Sequence, residues 1–439
     1  MRLVVVGVGH VGLVTAAALA RWGHEVVGVD EDHHRVEQLR AGLVPFHEPG
    51  LPQLVDEGVE AGRLSFTDSW ETVVEGAQAV FICVGTPSLP GGGADLSIVE
   101  RVGSQVALSA SDDLVLIEKS TVPAQTGERL TVTVGRELER RGVTHRISVA
   151  SNPEFLREGV AVQDTLRPDR VVYGTRHDWA LEVLRGIYAP LVAEVDPPVI
   201  ETDVATAELI KHASNAFLAT RLSFINAVAR ISELVGADVE VVAEGMGYDH
   251  RIGHAFLQPG LGYGGSCFPK DVDGFIQLAR DVGYEFGLLE EVRRINEGQR
   301  DLVLDKLRAE LWHLTGKRIT LLGAAFKPHT DDLREAPALH LADLLMAEGA
   351  EVAIYDPVAL PAVRRARSSL ETVEDPYLAC DGAHAAVVCT EWPEIASLDL
   401  ERLRAHLAYP VLVDGRNVFS PADAARAGLH HHSIGRPPV

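Results

Sequence analysis

A glycine turn near the N-terminus constrains the fold of this chain more than any other feature. The apolar run 3–6 precedes Gly7-Val8-Gly9-His10-Val11-Gly12, and an alanine-rich segment of helical pattern, 13–22, follows it. In the order strand, turn, helix, the unpaired N–H groups of a helix N-terminus face a pyrophosphate, and the glycines let the backbone come close to it. The pattern predicts a dinucleotide-binding α/β domain whose cofactor contacts include Gly7, Gly9, Val11 and Gly12.

The segment after this helix indicates which dinucleotide binds. Residues 23–30 form a second strand that ends on Asp30, eighteen residues beyond Gly12. A carboxylate at this position accepts hydrogen bonds from the ribose hydroxyls and repels the 2′-phosphate of NADP, and Glu31 and Asp32 add to that repulsion. The segment therefore favours NAD. These residues alone leave open a similar sheet that binds a flavin or another nucleotide.

The last third of the chain repeats the opening pattern. Residues 317–322 form a β-rich run, 336–348 are helical in pattern, and the strand 349–356 ends on Asp356 as the earlier strand ends on Asp30. The turn G-x-G-x-x-G does not follow the first of these strands. The repeat therefore predicts a second sheet domain without a second NAD site. Between the two repeats, 202–235 lack proline and show a helical spacing of apolar residues, which predicts one long helix.

A cysteine lies in a glycine-rich loop in the middle of the chain. The stretch 262–266 contains three glycines and precedes Cys267, which Lys270 and Asp271 follow. We expect the three glycines to let the backbone approach a bulky ligand with no side chain in the way. A nearby cation that lowers the pKa of a thiol, ordinarily about 8.5, raises its nucleophilicity at neutral pH. The loop favours covalent chemistry at sulfur. A buried structural cysteine is the alternative that this stretch alone leaves open.

Composition disfavours several classes of partner. The chain has 40 basic and 63 acidic residues and a net charge of −23, which disfavours nucleic acid and anionic membranes as partners. Its four cysteines show no C-x-x-C pair and no zinc spacing, so they fit the reduced thiols of a cytoplasmic enzyme. No apolar run reaches the length of a membrane span. We expect no metal site, and we interpret the three histidines at 430–432 as a solvated tail.

Three segments make the cysteine loop more specific. The string FLQPGLGYGGSCFPKD, residues 256–271, resembles the active-site signature of the UDP-glucose 6-dehydrogenases, and PEFLREG, residues 153–159, is similar to a second signature of that family. Residues 323–335 resemble its nucleotide-gripping loop. The resemblance extends along nearly the whole chain. It implies an NAD-dependent, four-electron oxidation of UDP-glucose at C6 to UDP-glucuronate, with two NADH per turnover.

The same resemblance implies catalytic roles. Cys267 would carry the sugar as a thiohemiacetal and then as a thioester. Lys211 and Asn215, one turn apart on the long helix, would stabilise the oxyanion, although their spacing alone leaves open a lysine and an amide at a helix surface. Asp271, with Glu158 nearby, would activate the water that hydrolyses the thioester.

The resemblance also implies two sets of binding residues. The cofactor set adds to the glycine turn Asp30, Arg35, Thr86, Thr121, Glu158, Lys270 and Arg334. The substrate set consists of Glu154, Phe155, Leu156, Lys211, Asn215, Arg251, Phe256, Leu257, Gly260, Gly264 and Lys327. In the first oxidation, a water held near Thr121 or Lys211 would accept the proton of the alcohol.

These patterns together predict an α/β fold with two Rossmann-like parallel-sheet domains joined by a long central helix. The expected parts are an NAD-binding domain over 1–203, a helical dimerisation domain over 204–300 that carries the cysteine loop, and a UDP-sugar-binding domain over 301–439. We expect a homodimer, because the long helix and the apolar middle of the chain suggest one and the family usually pairs through this region.

Several alternatives remain at this point. GDP-mannose or a UDP-N-acetylhexosamine would undergo the same chemistry, although the cysteine loop and Arg251 resemble the UDP-glucose enzymes more. A β-hydroxyacid dehydrogenase has a similar N-terminal domain and a helix with lysine and asparagine, but it transfers two electrons and needs no cysteine. A nucleotide-binding sensor would keep the fold and have no turnover.

Overall fold

The structure is a computed structural model that describes residues 1–70, 73–89 and 92–438. The chain divides into two compact units. The first contains residues 1–214 and 273–283, and the second contains 215–272 and 284–439. Each unit is built on its own β-sheet.

The first unit contains an eight-stranded sheet in the order β3-β2-β1-β4-β5-β6-β7-β8. All neighbouring strands are parallel except β6 and β7, which are antiparallel. The strands are β1 (Arg2–Val6), β2 (Glu25–Val29), β3 (Leu64–Thr67), β4 (Ala79–Ile82), β5 (Leu114–Glu118), β6 (Ile147–Ser151), β7 (Val171–Thr175) and β8 (Val199–Thr202). The helices are α1 (His10–Arg21), α2 (His33–Arg40), α3 (Leu51–Glu60), α4 (Ser97–Ser109), α5 (Thr126–Arg141), α6 (Ala161–Leu166), α7 (Asp178–Val195), the first part of α8 (Val204–Val235) and the later part of α10 (Phe268–Asp281).

The central strands of this sheet are buried on both faces. In β1, Leu3 and Val5 pack into one apolar cluster with α1 and α3, whereas Val4 and Val6 pack into a second cluster with α4 and α5. Alternate residues of a strand point to opposite faces, so a continuous apolar run is the pattern that two covered faces require. The strand order reverses between β1 and β4, and a parallel sheet opens a ligand crevice at the carboxyl ends of its strands there.

The second unit contains a six-stranded, fully parallel sheet in the order β11-β10-β9-β12-β13-β14. Its strands are β9 (Arg318–Leu322), β10 (Glu351–Tyr355), β11 (Glu371–Thr372), β12 (Ala385–Val388), β13 (Val411–Asp414) and β14 (His430–Ser433). The helices are the rest of α8, α9 (Val239–Gly247), the start of α10 (Phe268–Asp281), α11 (Gly287–Leu311), α12 (Pro337–Ala347), α13 (Leu360–Ala366), α14 (Pro376–Ala379), α15 (Pro393–Ala396), α16 (Leu400–His406) and α17 (Pro421–Arg426).

Helix α8 is the long helix that the proline-free segment predicts, and it has 32 residues. Its residues up to 214 belong to the first unit, and those from 215 belong to the second. The two sheets and this helix confirm the predicted fold class. The antiparallel pairing of β6 with β7 was not predicted, and it adds two strands beyond the usual dinucleotide-binding sheet. No helix in the described ranges is long and apolar enough to cross a membrane.

The acid that ends β10 differs in its surroundings from the acid that ends β2. The Asp356 carboxylate accepts five N–H groups, those of Ala324, Ala325, Val358 and Ala359 and the indole of Trp392, at 2.7–3.1 Å. Five donors use all the acceptor sites that a carboxylate offers. Asp356 therefore ties loops of the second sheet together and has no acceptor site left for a ribose.

The interpretation of the histidine run as a solvated tail is wrong. Residues 430–433 form the edge strand β14, which pairs with β13, and the ring of His431 is buried 3.6 Å from the Asp414 carboxylate. On the opposite face, His430 and His432 contact Glu310 at 3.2 and 2.8 Å. Strand pairing with β13 supplies the order that composition gives no reason to expect. Within the described ranges, no three His, Cys, Asp or Glu side chains are arranged to hold a metal ion.

Candidate active site

The glycine turn lies between β1 and α1. A Cβ on Gly12 would lie 1.7 Å from the carbonyl oxygen of Gly7, so only glycine allows α1 to pack this closely against the turn. A Cβ on Gly9 would instead meet no described atom within 4 Å. This open side lies at the N-terminus of a 12-residue helix, where unpaired N–H groups and the helix dipole favour an anion. The turn therefore fits a pyrophosphate.

Asp30 binds the glycine turn from the end of β2. Its Oδ2 accepts the N–H of Val8 and the Nη1–H of Arg35, both at 2.9 Å, and its Oδ1 accepts the N–H of Asp32 at 3.0 Å. A carboxylate oxygen has two acceptor sites, so Oδ1 keeps one for a ribose hydroxyl. These contacts place Arg35 beside Asp30.

Two predicted cofactor residues lie together at the ends of neighbouring strands. Thr86 follows β4, Thr121 follows β5, and the Thr86 hydroxyl donates a hydrogen bond to the Thr121 carbonyl at 2.8 Å. Ser120 donates from its hydroxyl to the carbonyl of Val84 at 2.7 Å. The two turns are thus fixed to each other at the carboxyl edge of the sheet, where a parallel sheet binds its ligand.

Lys211 of α8 forms a buried ion pair with the first glutamate of the PEFLREG segment. Its Nζ lies 2.8 Å from Glu154 Oε1, and both side chains are 4% exposed. The other Glu154 oxygen accepts the N–H of Leu156 at 2.8 Å, and the Phe155 ring lies 5.6 Å from Lys211 Nζ. Four predicted substrate residues are therefore adjacent in the first unit. Breaking a buried pair by removing one partner typically costs about 3–5 kcal/mol, so Glu154 and Lys211 depend on each other.

Glu158 lies half-buried at the end of the same segment, next to an anchor that sequence reasoning missed. Glu48 is buried, and its two carboxylate oxygens accept the N–H groups of Gly159 and Ala161 at 2.7 and 2.8 Å. It thereby fixes the backbone just after Glu158 and caps α6. Its position, more than a hundred residues before the segment, explains why local patterns could not reveal it.

A cavity of about 260 Å³ lies beside the PEFLREG segment, inside the first unit. Lys119, Asn152, Arg170 and Tyr188 are among its lining residues. Lys119 donates to the Asn152 side-chain oxygen at 2.9 Å, and Tyr188 donates to the same atom at 2.5 Å. Burial lowers the pKa of Lys119. No local pattern in the sequence signals this network.

In the second unit, Cys267 immediately precedes the N-terminus of α10. Its sulfur is half-buried and lies 3.5 Å from the Ser266 hydroxyl. The other three thiols, of Cys83, Cys380 and Cys389, are buried, and burial raises the pKa of each to about 12. The dipole of a helix N-terminus favours a thiolate. Cys267 is therefore the one of the four cysteines whose surroundings suit nucleophilic chemistry.

Asn215 and Asp271 form a buried polar pair in the same unit. The Asn215 amide donates to Asp271 Oδ2 at 2.6 Å, and both side chains are buried. The Asp271 N–H donates to the Cys267 carbonyl at 2.8 Å, within the first turn of α10, and Lys270 Nζ lies 3.9 Å from Asp271 Oδ1. The structure thus brings together three predicted catalytic residues and the predicted cation.

The glycines of the cysteine loop serve a different purpose from the one that the sequence suggests. A Cβ on Gly264 would lie 2.1 Å from the Glu335 carbonyl oxygen, and one on Gly265 would lie 2.6 Å from the Phe326 ring. The Gly265 N–H also donates to the Arg334 carbonyl at 2.9 Å. The glycines let the loop pack against residues 326–335 of its own unit, which occupy the positions where side chains would stand.

Residues 323–335 hold the two predicted cations in different surroundings. The Arg334 guanidinium binds the Asp332 carboxylate through Nε and Nη2 at 2.7–3.0 Å. Lys327 Nζ lies 5.7 Å from the Phe326 ring. Because Gly265 is hydrogen bonded to the Arg334 backbone, this loop and the cysteine loop form one structural element.

The remaining predicted substrate residues are spread over the segment before Cys267. Leu257 is buried, Phe256 has a positive φ of 60°, and the Gly260 N–H donates to the Asn226 side chain at 2.8 Å. Arg251 is exposed and binds Asp249 at 2.6 Å. Within its own unit, Arg251 is therefore paired with a carboxylate two residues away in the chain.

Comparison with known protein families gives three matches in chain order. The models describe an NAD-binding domain, matched by 1–192, a central domain, matched by 205–298, and a UDP-binding domain, matched by 320–421. All three models are of one family. The chain belongs to the UDP-glucose/GDP-mannose dehydrogenase family. This confirms the family that the signatures predict, and NAD as its cofactor.

Members of the UDP-glucose/GDP-mannose dehydrogenase family resemble this chain over its full length. UDP-glucose 6-dehydrogenase of Pseudomonas aeruginosa is 44% identical over 100% of this chain and 98% of that protein. The structure of a UDP-glucose dehydrogenase from Pyrobaculum islandicum has a TM-score of 0.91 at 38% identity, over 99% of this chain and 97% of that one. A UDP-D-ManNAc dehydrogenase from Pyrococcus horikoshii has a TM-score of 0.88 at 28% identity, over 100% of both chains.

Several polar residues of this family member that support the site were missed by sequence reasoning. Asn296 of α11 accepts the N–H of Tyr263 at 2.8 Å and donates to its carbonyl at 3.1 Å, which holds the cysteine loop from behind. Asn226 of α8 accepts the N–H of Gly260 in a similar way. Glu208 precedes Lys211 by three residues on α8, and this spacing is the only signal that could have drawn attention to it.

Proposed function

We propose that this protein oxidises the C6 alcohol of UDP-glucose to a carboxylate in two successive NAD-dependent steps. The observation that carries the proposal is the pairing of a half-buried Cys267 at the start of α10 with a buried Asn215–Asp271 hydrogen bond. A two-electron dehydrogenase has no use for a nucleophilic cysteine beside a carboxylate. A route through a thioester needs both.

The proposed reaction is balanced in atoms and in charge. One UDP-glucose, one water and two NAD⁺ give one UDP-glucuronate, two NADH and three protons. NAD, which the glycine turn and Asp30 would hold, would supply the hydride acceptor for each oxidation. Cys267 adds to the aldehyde carbon to form a thiohemiacetal, whose oxidation gives the thioester. Water then displaces the Cys267 thiolate, which leaves the enzyme ready for another turnover.

Each catalytic residue receives a role that its surroundings support. Asn215 is oriented by its hydrogen bond to Asp271, so its amide is available as an oxyanion donor only when that bond is kept. Lys211, held by Glu154, supplies the second oxyanion donor. Asp271 is the base for thioester hydrolysis, assisted by Glu158. A water near Thr121 or Lys211 accepts the alcohol proton.

We also propose the binding roles of the remaining residues. The glycine turn holds NAD together with Asp30, Arg35, Thr86, Thr121 and Glu158, and Lys270 and Arg334 complete that set. The segment 154–156, the loop 256–264, Arg251 and Lys327 bind the sugar nucleotide. The division into functional parts at 203/204 and 300/301 stays a prediction. The cytoplasm is the proposed compartment, because a catalytic thiol must stay reduced.

UDP-glucose is the proposed substrate because relatives named for it are 44% and 38% identical to this chain, whereas the relative named for UDP-D-ManNAc is 28% identical. A UDP-N-acetylhexosamine is the second candidate, since the fold of that relative also matches over the full length. NADH release from a panel of UDP- and GDP-sugars would separate the candidates.

Counting NADH tests the proposal directly. We expect two NADH per UDP-glucose from the wild-type protein and, from Cys267→Ala, no thioester in the intact mass and no second NADH. Cys389→Ala is the matched control: its thiol is buried with a pKa raised to about 12, so the variant should keep the stoichiometry of two. One NADH per sugar from the wild type, or full activity of Cys267→Ala, would contradict the proposal.

A further inference from the structure

Two glutamates lie side by side in a buried space of the first unit. They are next to residues 119–127, the turn that contains Thr121 and is called here the Thr121 turn. Glu118 is the last residue of β5 and is 1% exposed, and Glu208 of α8 is 2% exposed. A Cβ on Gly127 would lie 2.8 Å from Glu118 Oε2 and 3.3 Å from Glu208 Oε1. The two carboxyl groups therefore face the same small space. Neither has a place in the catalytic roles given above.

Glu208 binds the backbone that follows Thr121. Its Oε2 accepts the N–H of Gln125 at 2.7 Å, and its Oε1 accepts the N–H of Gly127 at 2.8 Å. Gln125 has a φ of 77°, a left-handed conformation that few residues other than glycine adopt. These two hydrogen bonds, both accepted by the Glu208 carboxylate, hold the turn and the start of α5 against α8.

Glu118 supports Glu208 from the sheet side. In the described part of the chain, no N–H group or hydroxyl donates to either Glu118 oxygen. Buried polar atoms are nearly always hydrogen bonded, so the remaining partner is the Glu208 carboxyl. Two carboxyl groups can form a hydrogen bond with each other only when one of them is protonated. That proton belongs on Glu118, because both oxygens of Glu208 already face N–H donors.

The directions of the pKa shifts of the two glutamates agree with a proton shared between them. Burial and then the charge of Glu208 raise the pKa of Glu118 well above its ordinary value, and burial raises the pKa of Glu208 to about 7. Glu128 of α5 adds negative charge, although it binds Arg176. The other ionisable neighbours have partners of their own: Lys119 binds Asn152, Lys211 binds Glu154, and His212 contacts the Val122 carbonyl.

We propose that Glu208 is a positioning residue for the Thr121 turn and that Glu118 keeps it in place by sharing a proton with it. The pair connects β5, the turn 119–127 and α8, so it fixes Thr121 with respect to the helix that carries Lys211. The inference rests on the proposed role of Thr121 in the NAD site. Its tests use NAD alone or no ligand, so they give a result even if no sugar nucleotide is oxidised.

The first test compares backbone exchange and NAD affinity in Glu208→Gln with the wild type. The variant loses the charge and turns an NH₂ group toward a backbone N–H. Because a hydrogen bond to a charged acceptor contributes more than one to a neutral acceptor, we expect roughly a tenfold weaker NAD affinity. Amide exchange in the segment 119–127 should become faster. Wild-type exchange and wild-type NAD affinity in this variant would overturn the proposal.

Glu48→Gln is the matched control. Glu48 is also a buried carboxylate that accepts two backbone N–H groups, but it binds residues 159 and 161. We expect this variant to lose thermal stability and to keep wild-type exchange in the segment 119–127. If both variants loosened that segment equally, Glu208 would have only a general structural role and the positioning assignment would be wrong.

Glu118→Gln tests the shared proton with the most conservative change. The Glu118 carboxyl keeps its proton in the native protein at pH values above about 4.5, where it is ionised in the unfolded chain, so the pair makes the wild type less stable as the pH rises above that value. A difference of one bound proton between the native and unfolded states raises the equilibrium constant of unfolding by up to about tenfold per pH unit. The amide that replaces the Glu118 carboxyl can still donate to Glu208 and cannot ionise. We therefore expect a shallower pH dependence of stability with NAD affinity near that of the wild type, and an unchanged pH dependence would contradict the shared proton.

Discussion

At the scale of single residues, Asp271 is the group whose two roles can be separated. Its carboxylate orients Asn215 at 2.6 Å, and it is the proposed base for thioester hydrolysis. An Asp271→Asn substitution keeps an acceptor for the Asn215 amide and removes the base. Orientation and base catalysis therefore respond differently to this one substitution.

Asp271→Asn should accumulate the thioester. General base catalysis typically raises a rate by 100-fold or more, so we expect thioester hydrolysis to slow by roughly 100-fold. Both hydride transfers should still occur in a single turnover. Rapid-quench intact mass spectrometry would detect the acyl enzyme, and stopped-flow absorbance would record the NADH burst. Asn215→Ala is the comparison, because it should slow formation of the thioester. A variant that fails at the first hydride transfer would assign Asp271 an earlier role.

Local patterns predicted which residues carry chemistry better than they predicted what those residues touch. Strand, turn and helix patterns identified Asp30 and the glycine turn, because the residues that interact there are close in sequence. The ion pair of Lys211 with Glu154 joins residues 57 positions apart, and no periodicity encodes such a contact. The glycines of the cysteine loop were correctly singled out, but their reason is packing against Glu335 and Phe326.

At the scale of structural elements, the cysteine loop and the loop 323–335 are packed tightly against each other and form a single element. The contact between Gly264 and the Glu335 carbonyl leaves no room for a side chain, and Gly265 is hydrogen bonded to the Arg334 backbone. Any shift of either loop must move the other. The position of Cys267 thus depends on a loop of the second sheet that is about sixty residues further along the chain.

Gly264→Ala should disturb both loops together. Its Cβ would lie 2.1 Å from a backbone oxygen, which cannot move aside as a side chain would. Overpacking of this kind typically costs about 1–3 kcal/mol, and we expect a lower melting temperature and faster amide exchange in both 262–267 and 326–335. Differential scanning fluorimetry and hydrogen exchange would measure these effects.

Gly298→Ala is the matched control at this scale. Gly298 lies inside α11, and a Cβ there would meet no described atom within 4 Å. Alanine is the better helix former by up to about 1 kcal/mol, so the control should be as stable as the wild type or more so. If Gly264→Ala matched this control in stability and amide exchange, the conclusion that the two loops leave no room for a side chain at residue 264 would be wrong.

Helices and inner strands were more predictable than edges. The bounds of α8 follow from a proline-free run, and the inner strands β1, β2, β9 and β10 lie where the sequence pattern predicts strands. Strand β14 has three histidines and no apolar run, and it is ordered because β13 offers it a hydrogen-bonding edge. Tertiary pairing of this kind overrides local propensity, so a single sequence gives no sign of it.

At the scale of the whole molecule, α8 presents an apolar face to solvent within the second unit. Phe217, Phe224 and Ile231 are 63%, 52% and 60% exposed, and they are seven residues apart, which places them on one side of the helix. Three large apolar side chains on one exposed stripe are typical of an interface. We propose a second copy of this chain as the partner, since a two-fold axis would bring the stripe onto itself.

Phe224→Glu should dissociate that dimer. A two-fold interface would bury the new carboxylate twice without a counter-ion, and central aromatic residues of interfaces often contribute about 2 kcal/mol or more, so we expect the dissociation constant to rise by roughly 30-fold or more. Light scattering over a dilution series would measure the mass. Leu378→Glu, the same change at an apolar residue of α14 that is 58% exposed, should leave the wild-type mass unchanged. A wild-type chain that is monomeric at micromolar concentration, or a Phe224→Glu variant that stays dimeric, would exclude this face as the interface.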